Sequence, residues 1–234
     1  MTTVKTMQAL NELIGYCTGY GGKYNPGRQN LRIENLQVQL EAVRQVLDKV
    51  KETKVHFENE VNVRRQVFDQ VPEIASRVMS ILEASGVSAE KLADARMVIR
   101  EIEGRRVYVK PTLKKEAPDP TAVKRSRFQL AYASKADWFE MLVQTIAMEP
   151  RYQPNEQELS VEALNIKVEE LHSLNQRVTE ARVSWSNARV QRDELMQGNE
   201  QSVVMIGRAI KRYLRGLYGY GSPQYEQVKG IKLY

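Results

Sequence analysis

Residues 36–61 read LQVQLEAVRQVLDKVKETKVHFENEV. Within them Leu36, Leu40, Val43, Leu47, Val50, Phe57 and Val61 recur at alternating steps of four and three, broken only at Lys54. Steps of that kind keep apolar side chains on one stripe of a helix, and a stripe sustained this long fits the seam of a bundle or coiled coil better than a lone surface helix. Neither proline nor glycine occurs from 29 to 70, and at 1.5 Å per residue an unbroken helix of that length reaches about 60 Å.

The same pattern returns 128 residues later. The shift places Tyr24 on Tyr152, Pro26 on Pro154, Leu31 on Leu159, Leu36 on Leu164, Val38 on Ile166, Leu40 on Val168 and Val43 on Leu171. It continues through Val50 on Val178, Val55 on Val183, Phe57 on Trp185, Asn59 on Asn187 and Arg64 on Arg192, and on to Val78 on Ile206 and Leu82 on Ile210. Beyond these a shift of 134 aligns Ser88 with Ser222, which implies a small insertion in the second copy, and upstream Leu10, Leu13 and Ile14 fall on Trp138, Met141 and Leu142. Self-similarity over so long a span means two copies of one structural unit. Most matched positions are of core type. The second copy places Asn175 and Arg182 on its apolar stripe, and a polar residue there sets register or faces a partner.

The chain therefore divides into a first helical repeat, 1–106, and a second, 129–234, joined by 107–128, VYVKPTLKKEAPDPTAVKRSRF. The joining segment holds three of the eight prolines and little periodicity, and reads as a semi-extended linker. Each repeat opens with a short amphipathic helix, 4–17 or 135–148, then a loop with the Tyr-x-Pro element, then the long helix. Pro72 and Gly198 interrupt the long helices at nearly matched places, where the chain kinks or turns back. A third helix follows, at 73–84 or 199–217. Ser88 and Ser222 then serve as N-caps, the latter ahead of Pro223 at the first helical position. The expected fold is all-α: two tandem copies of a helical-hairpin unit with long helices, six major helices in all, packed as a pseudo-twofold helical bundle.

Composition bounds the function. Hydrophobic residues make up 42% and charged residues 27%, so the chain has the means to bury a core and lacks the signature of disorder. No run approaches the roughly 18 consecutive apolar residues of a spanning helix, which argues against membrane insertion. The first residues, MTTVKTMQALNELIGY, lack a signal-peptide apolar run, so the cytoplasm is the expected compartment. One cysteine, Cys17, and two histidines, His56 and His172, exclude an internal disulfide and are too few for zinc spacings. Cys17 reads as a packed thiol near a helix C-terminus, where thiolate is disfavoured.

Catalytic constellations are equally absent. The Gly19, Gly21, Gly22 and Gly216, Gly219, Gly221 clusters lack the strand and the lysine-serine pair of a phosphate loop, and suit helix ends. Glu169 and His172 form a single Glu-x-x-His without the second copy that a bundle metal site needs. No frame holds Ser, His and Asp as a triad. The expectation is a non-enzyme with no cofactor, no metal and no catalytic residues.

The net charge of +6 is spread thin: residues 1–110 carry 17 basic and 14 acidic groups, 111–150 carry 6 and 5, and 151–234 carry 12 and 10. Local clusters matter more. Arg208, Lys211, Arg212 and Arg215 share a helical face suited to phosphates, and Lys124, Arg125 and Arg127 form a second cluster; both also suit plain solvation. Tyr213, Tyr218, Tyr220 and Tyr225 gather near the end of the second copy as a candidate interface. The stretch Tyr24 to Gly27, its echo Tyr152 to Asn155, and Ser222-Pro-Gln-Tyr225-x-x-Val228-Lys-Gly230 resemble an uncharacterised all-helical, internally duplicated family of Bacteroidota bacteria with no assigned function. The resemblance implies kinship over nearly the whole chain and carries no activity. Two function classes follow: a structural or protein-interaction bundle that self-associates as a homo-oligomer or meets a protein partner, and, as the alternative, a nucleic-acid-associated protein using the basic faces.

Overall fold

The computed structural model describes residues 2–104 and 127–234. All regular structure there is helical: α1 (Thr2–Gly19), α2 (Ile33–Phe68), α3 (Val71–Ala84), α4 (Ala89–Glu103), α5 (Arg127–Ala147), α6 (Val161–Asp193), α7 (Val203–Tyr218) and α8 (Pro223–Lys229). A 3-10 turn leads into each long helix, at Gln29–Leu31 and Gln157–Leu159, a further one lies at Gly21–Lys23, and a π-turn at Glu194–Gly198 follows α6. The linker expected at 107–128 lies outside the described residues except for its last two positions, which already belong to α5. That helix starts well before the expected 135, because Arg-Phe-Gln-Leu-Ala-Tyr-Ala is made of helix-tolerant residues that periodicity alone does not reveal. α4, which Ser88 precedes as the N-cap position, is a full helix of 15 residues.

The protein folds into two compact units, Met1–Phe57 with Ala181–Tyr234, and Glu58–Glu180. These cut across the sequence repeats. Each unit takes the opening helix and loop of one copy and the closing helices of the other, and α2 and α6 contribute to both. The first interior gathers Leu10, Leu13, Ile14 and Cys17 of α1, Leu36, Leu40 and Val43 of α2, and Val203, Ile206, Ile210 and Leu214 of α7, closed by Val228 of α8. The second gathers Phe139, Leu142, Val143 and Ile146 of α5, Leu164, Val168 and Leu171 of α6, Val71, Val78 and Leu82 of α3, and Val98, Ile99 and Ile102 of α4. The copies thus supply equivalent parts to both interiors, as a pseudo-twofold duplication requires.

The Tyr-x-Pro elements show the equivalence at atomic level. The Tyr24 hydroxyl donates to the Leu31 carbonyl at 2.8 Å, and the Tyr152 hydroxyl donates to the Leu159 carbonyl at 2.9 Å. Both rings are buried, and each bond pins the loop to the 3-10 turn that launches a long helix. Burial corrects the upstream alignment by one residue: Phe139, Leu142, Val143 and Ile146 are buried, while Met141 is 45% exposed. The true counterparts of Leu10, Leu13, Ile14 and Cys17 therefore lie 129 residues on, and the first copy carries one more residue in its Tyr-x-Pro loop.

The buried seams also depart from the expected stripes. On α2 the buried positions after Val43 are Thr53, Glu60, Arg64 and Phe68, so Thr53 takes the place at which Lys54 broke the rhythm. On α6 they are Leu171, Leu174, Val178, Ala181 and Ala188, leaving Asn175 half-buried and Arg182 exposed. Two successive three-residue steps, such as Val168 to Leu171 to Leu174, rotate a stripe around a helix that turns every 3.6 residues. In the first unit Phe57 stacks on its own counterpart Trp185, with centroids 5.5 Å apart at 20°.

The breaks after the long helices differ in kind. Between α2 and α3 only Asp69 and Gln70 leave the helix, with Asp69 N–H still bonded to the Arg65 carbonyl at 2.9 Å, and Pro72 sits in the first turn of α3. The helix bends there instead of turning back, and α3 packs on α4 and α5. The second copy has Glu200 where Pro72 falls. Its chain instead passes through the π-turn and Asn199, and restarts at Val203 behind the N-cap Ser202. Ser222 caps α8 as expected, its Oγ accepting from the Tyr225 N–H at 3.2 Å with Pro223 in the first turn.

The C-terminal residues are held against α7. Lys211 Nζ donates to the Lys229 and Ile231 carbonyls, and the Tyr234 N–H donates to Thr6 Oγ1 at 3.3 Å. A Cβ on Gly207 would lie 2.2 Å from Leu233 Cδ1, so the glycine inside α7 is the seat of Leu233. Gly207→Val is expected to dislodge residues 231–234 while leaving α7 helical, seen as faster amide exchange and carboxypeptidase trimming of those residues with unchanged circular dichroism. Undisturbed exchange would mean that Leu233 moves aside by itself.

Candidate functional site

The basic face of α7 is only partly available. Its apolar side, Val203, Ile206, Ile210 and Leu214, is buried, which turns Arg208, Arg212 and Arg215 to the surface. Among the described residues Arg208 reaches only the Met205 sulfur, at 3.8 Å, and Arg212 and Arg215 make no ion pair. Lys211 is withdrawn from the set. It is half-buried, its charge occupied by two carbonyls, and burial pushes its pKa down. Lys124 and Arg125 lie outside the described residues, and Arg127 opens α5.

The tyrosines at the end of the second copy pack within the first unit. Tyr213 meets Tyr24 edge to face, with centroids 5.4 Å apart, and Tyr218 meets Tyr20 at the same separation. The Tyr20 hydroxyl donates to the Gln224 carbonyl at 3.0 Å. Tyr220 lies 5.7 Å from Tyr225 and is 70% exposed. The Cys17 thiol beneath them is buried, and burial pushes its pKa up to about 11.

The second unit carries an unusual buried charge. Arg64 is 5% exposed and lies 4.1 Å over the Tyr132 ring, its Nη1 donating to Asn175 Oδ1 at 3.4 Å. Its Nε has no hydrogen-bond partner. Asn175 in turn donates to the Tyr132 carbonyl at 3.3 Å, and Arg177 donates to the buried Glu60 at 2.8 Å. These pairs run in opposite chain directions, so α2 and α6 are antiparallel here, with the half-buried Asn175 bridging Arg64 and the Tyr132 carbonyl.

Several matched apolar positions are not core. Val38 and its counterpart Ile166 are 69% and 68% exposed, and Val55 and Val183 are 54% and 52% exposed. Single exposed apolar residues are ordinary on any protein surface. Their recurrence at the same places in both copies is not explained by the interior of either unit.

The π-turn opens a trough of about 620 Å³ in the first unit, within the ordinary size range of ligand sites,. Its floor is apolar: Val38, Ala42 and Val46 on one face of α2, opposite Leu195 and Ile206. Its rim carries the carboxamides of Asn30, Asn35, Gln39, Gln191, Asn199 and Gln201, and among the described residues Glu194 is its one charged member. Some of these groups are used internally: Asn35 donates to the Gln29 carbonyl and Gln39 to the Gln201 carbonyl, each at 2.7 Å. Gln191 and the Gln201 side chain bond to no described residue, and Asn30 Oδ1 is buried without a partner. The equivalent surface of the second unit has Glu158 and Ala163 in place of Asn30 and Asn35, in a more open depression of about 650 Å³ with Glu156 and Gln157. There Glu158 is ion-paired with Arg77 of α3, whereas Met205 occupies the position of Arg77 in the first unit and no such bond forms. Sequence inspection missed the trough because its amides come from two distant segments; the proline missing at Glu200 was the available signal.

Among the described residues no three His, Cys, Asp or Glu side chains are grouped to hold a metal ion, and no helix is long and apolar enough to cross a membrane. The fold and surface define a duplicated all-helical bundle protein. No family model, no curated protein and no solved structure matches the chain.

Proposed function

We propose that the protein is a non-enzymatic helical scaffold of the cytoplasm that acts through protein contacts and associates with itself. The observation that supports this reading is the duplicated pair of exposed apolar positions, Val38 with Ile166 and Val55 with Val183. A surface repeated by duplication offers the same patch twice, and symmetric assembly uses such repeated patches. Light scattering on a size-exclusion column is expected to give a salt-insensitive multiple of 26.9 kDa. Ile166→Lys with Val183→Lys is expected to reduce it to one chain with unchanged helicity. A single-chain mass for the parent protein would overturn self-association. Kinship with the duplicated Bacteroidota family belongs to the same reading, on the strength of its turn motifs.

Nucleic-acid binding is the second reading, favoured by the exposed Arg208, Arg212 and Arg215, which have no carboxylate partner among the described residues. Affinity would then fall steeply with salt, and changing the three arginines to glutamine would abolish it. Lys211→Gln would instead loosen the C-terminal residues.

A further inference from the structure

We propose that the trough beside the π-turn binds an extended peptide segment of a partner, carrying small apolar side chains and a lysine or arginine at the end nearest Glu194. A primary carboxamide presents a carbonyl and an amino group in one plane, the complement of the N–H and C=O of a peptide group. An extended chain leaves those groups unpaired, while a helix uses its own internally. Gln191 and Gln201 hold unspent amides at the rim, and the Val38, Ala42 and Val46 face accommodates alternate side chains of an extended chain. Charge selects the ligand. Among the described residues, lysine and arginine are absent from the lining and Glu194 is the single charge, so phosphates and carboxylates are repelled and a cation is favoured. The π-turn places Glu194 and Leu195 on the wall, consistent with the frequent use of such turns at functional sites. The second unit makes the contrast: its counterpart surface is spanned by the Arg77–Glu158 pair.

This inference goes beyond self-association but shares Val38 with that reading. The variant with Ile166→Lys and Val183→Lys, which leaves the trough lining intact, separates the two, because it loses assembly and keeps peptide binding. The probes are two capped, fluorescein-labelled pentapeptides of alternating valine and threonine, one ending in lysine and the other in glutamate. Anisotropy with the full chain is expected to show saturable binding of the lysine peptide, about tenfold tighter than the glutamate peptide, as one exposed ion pair provides. Glu194→Gln is expected to erase the preference, and Ala42→Arg, which fills the floor while keeping a good helix former, to abolish binding with unchanged circular dichroism. The proposal is overturned by equal affinity for the two peptides, by no saturation below ~1 mM, or by binding that survives Ala42→Arg.

Discussion

Phe68→Ala is expected to destabilise the second unit by about 3–5 kcal/mol, the range for emptying a fully enclosed aromatic site. Phe68 is completely buried. It closes α2, meets Tyr132 of α5 edge to face with centroids 4.9 Å apart, and sits in the interior shared by α3, α4, α5 and α6. The interior shared by these helices thus loses its filling, and the Tyr132 ring, which also carries the Arg64 guanidinium, loses its support. Phe57→Ala supplies the control: its ring is half-buried against Trp185, so its loss should be smaller. Urea unfolding measures both, and an equal or smaller cost at Phe68 would contradict the assignment of the second core.

Stability is expected to fall above about pH 9–10, through groups held neutral by the fold. Burial, ahead of the neighbouring Cys17 and Tyr213, pushes the Tyr24 hydroxyl far up. Burial, ahead of Glu156, pushes Tyr152 up to about 12, and burial lifts the Cys17 thiol to about 11. An unfolded tyrosine ionises near 10. As pH rises between about 10 and 12 the unfolded chain therefore releases protons that the folded chain retains, which favours unfolding by at most about 1.4 kcal/mol per pH unit for each group. For the Cys17 thiol, which ionises at about 8.5 when unfolded, the same loss begins about one to two pH units earlier, and below that the groups are neutral in both states and contribute no slope,. Tyr152→Phe should flatten the decline, while costing about 0.5–1.5 kcal/mol at neutral pH for the lost bond to the Leu159 carbonyl. Urea unfolding from about pH 8 to 11.5 reads both effects; an unchanged slope in the variant would show that Tyr152 is not held neutral.

Helix class, duplication and the turn elements were legible in the residues because they depend on local pattern. The 3.6-residue period marks α2 and α6, Ser222-Pro223 announces α8, and Tyr24 and Tyr152 recur with their loops because each closes a bond only seven residues away. The seam was legible as far as Val43 on α2 and Leu171 on α6, and again at Val178, which is buried as expected. Beyond them the stripe rotates toward Thr53, Glu60 and Arg64, and toward Leu174 and Ala181, since the buried side of a helix is set by what lies against it and not by its own hydrophobicity. Val38 and Ile166 match as core residues do and yet face solvent, for the same reason.

By itself, then, the sequence determined that the chain is helical, that it contains two copies of one unit, and where most helices begin and end, because capping, turn chemistry and periodicity act between residues close along the chain. Tertiary structure alone decided that each compact unit combines the opening of one copy with the closing helices of the other. It alone withdrew Lys211 from the basic face, seated Leu233 on Gly207 and gathered the carboxamides of residues 30–39 with those of 191–201 around one trough. Those outcomes join residues more than a hundred positions apart or depend on which side of a helix is covered, and no local rule encodes either.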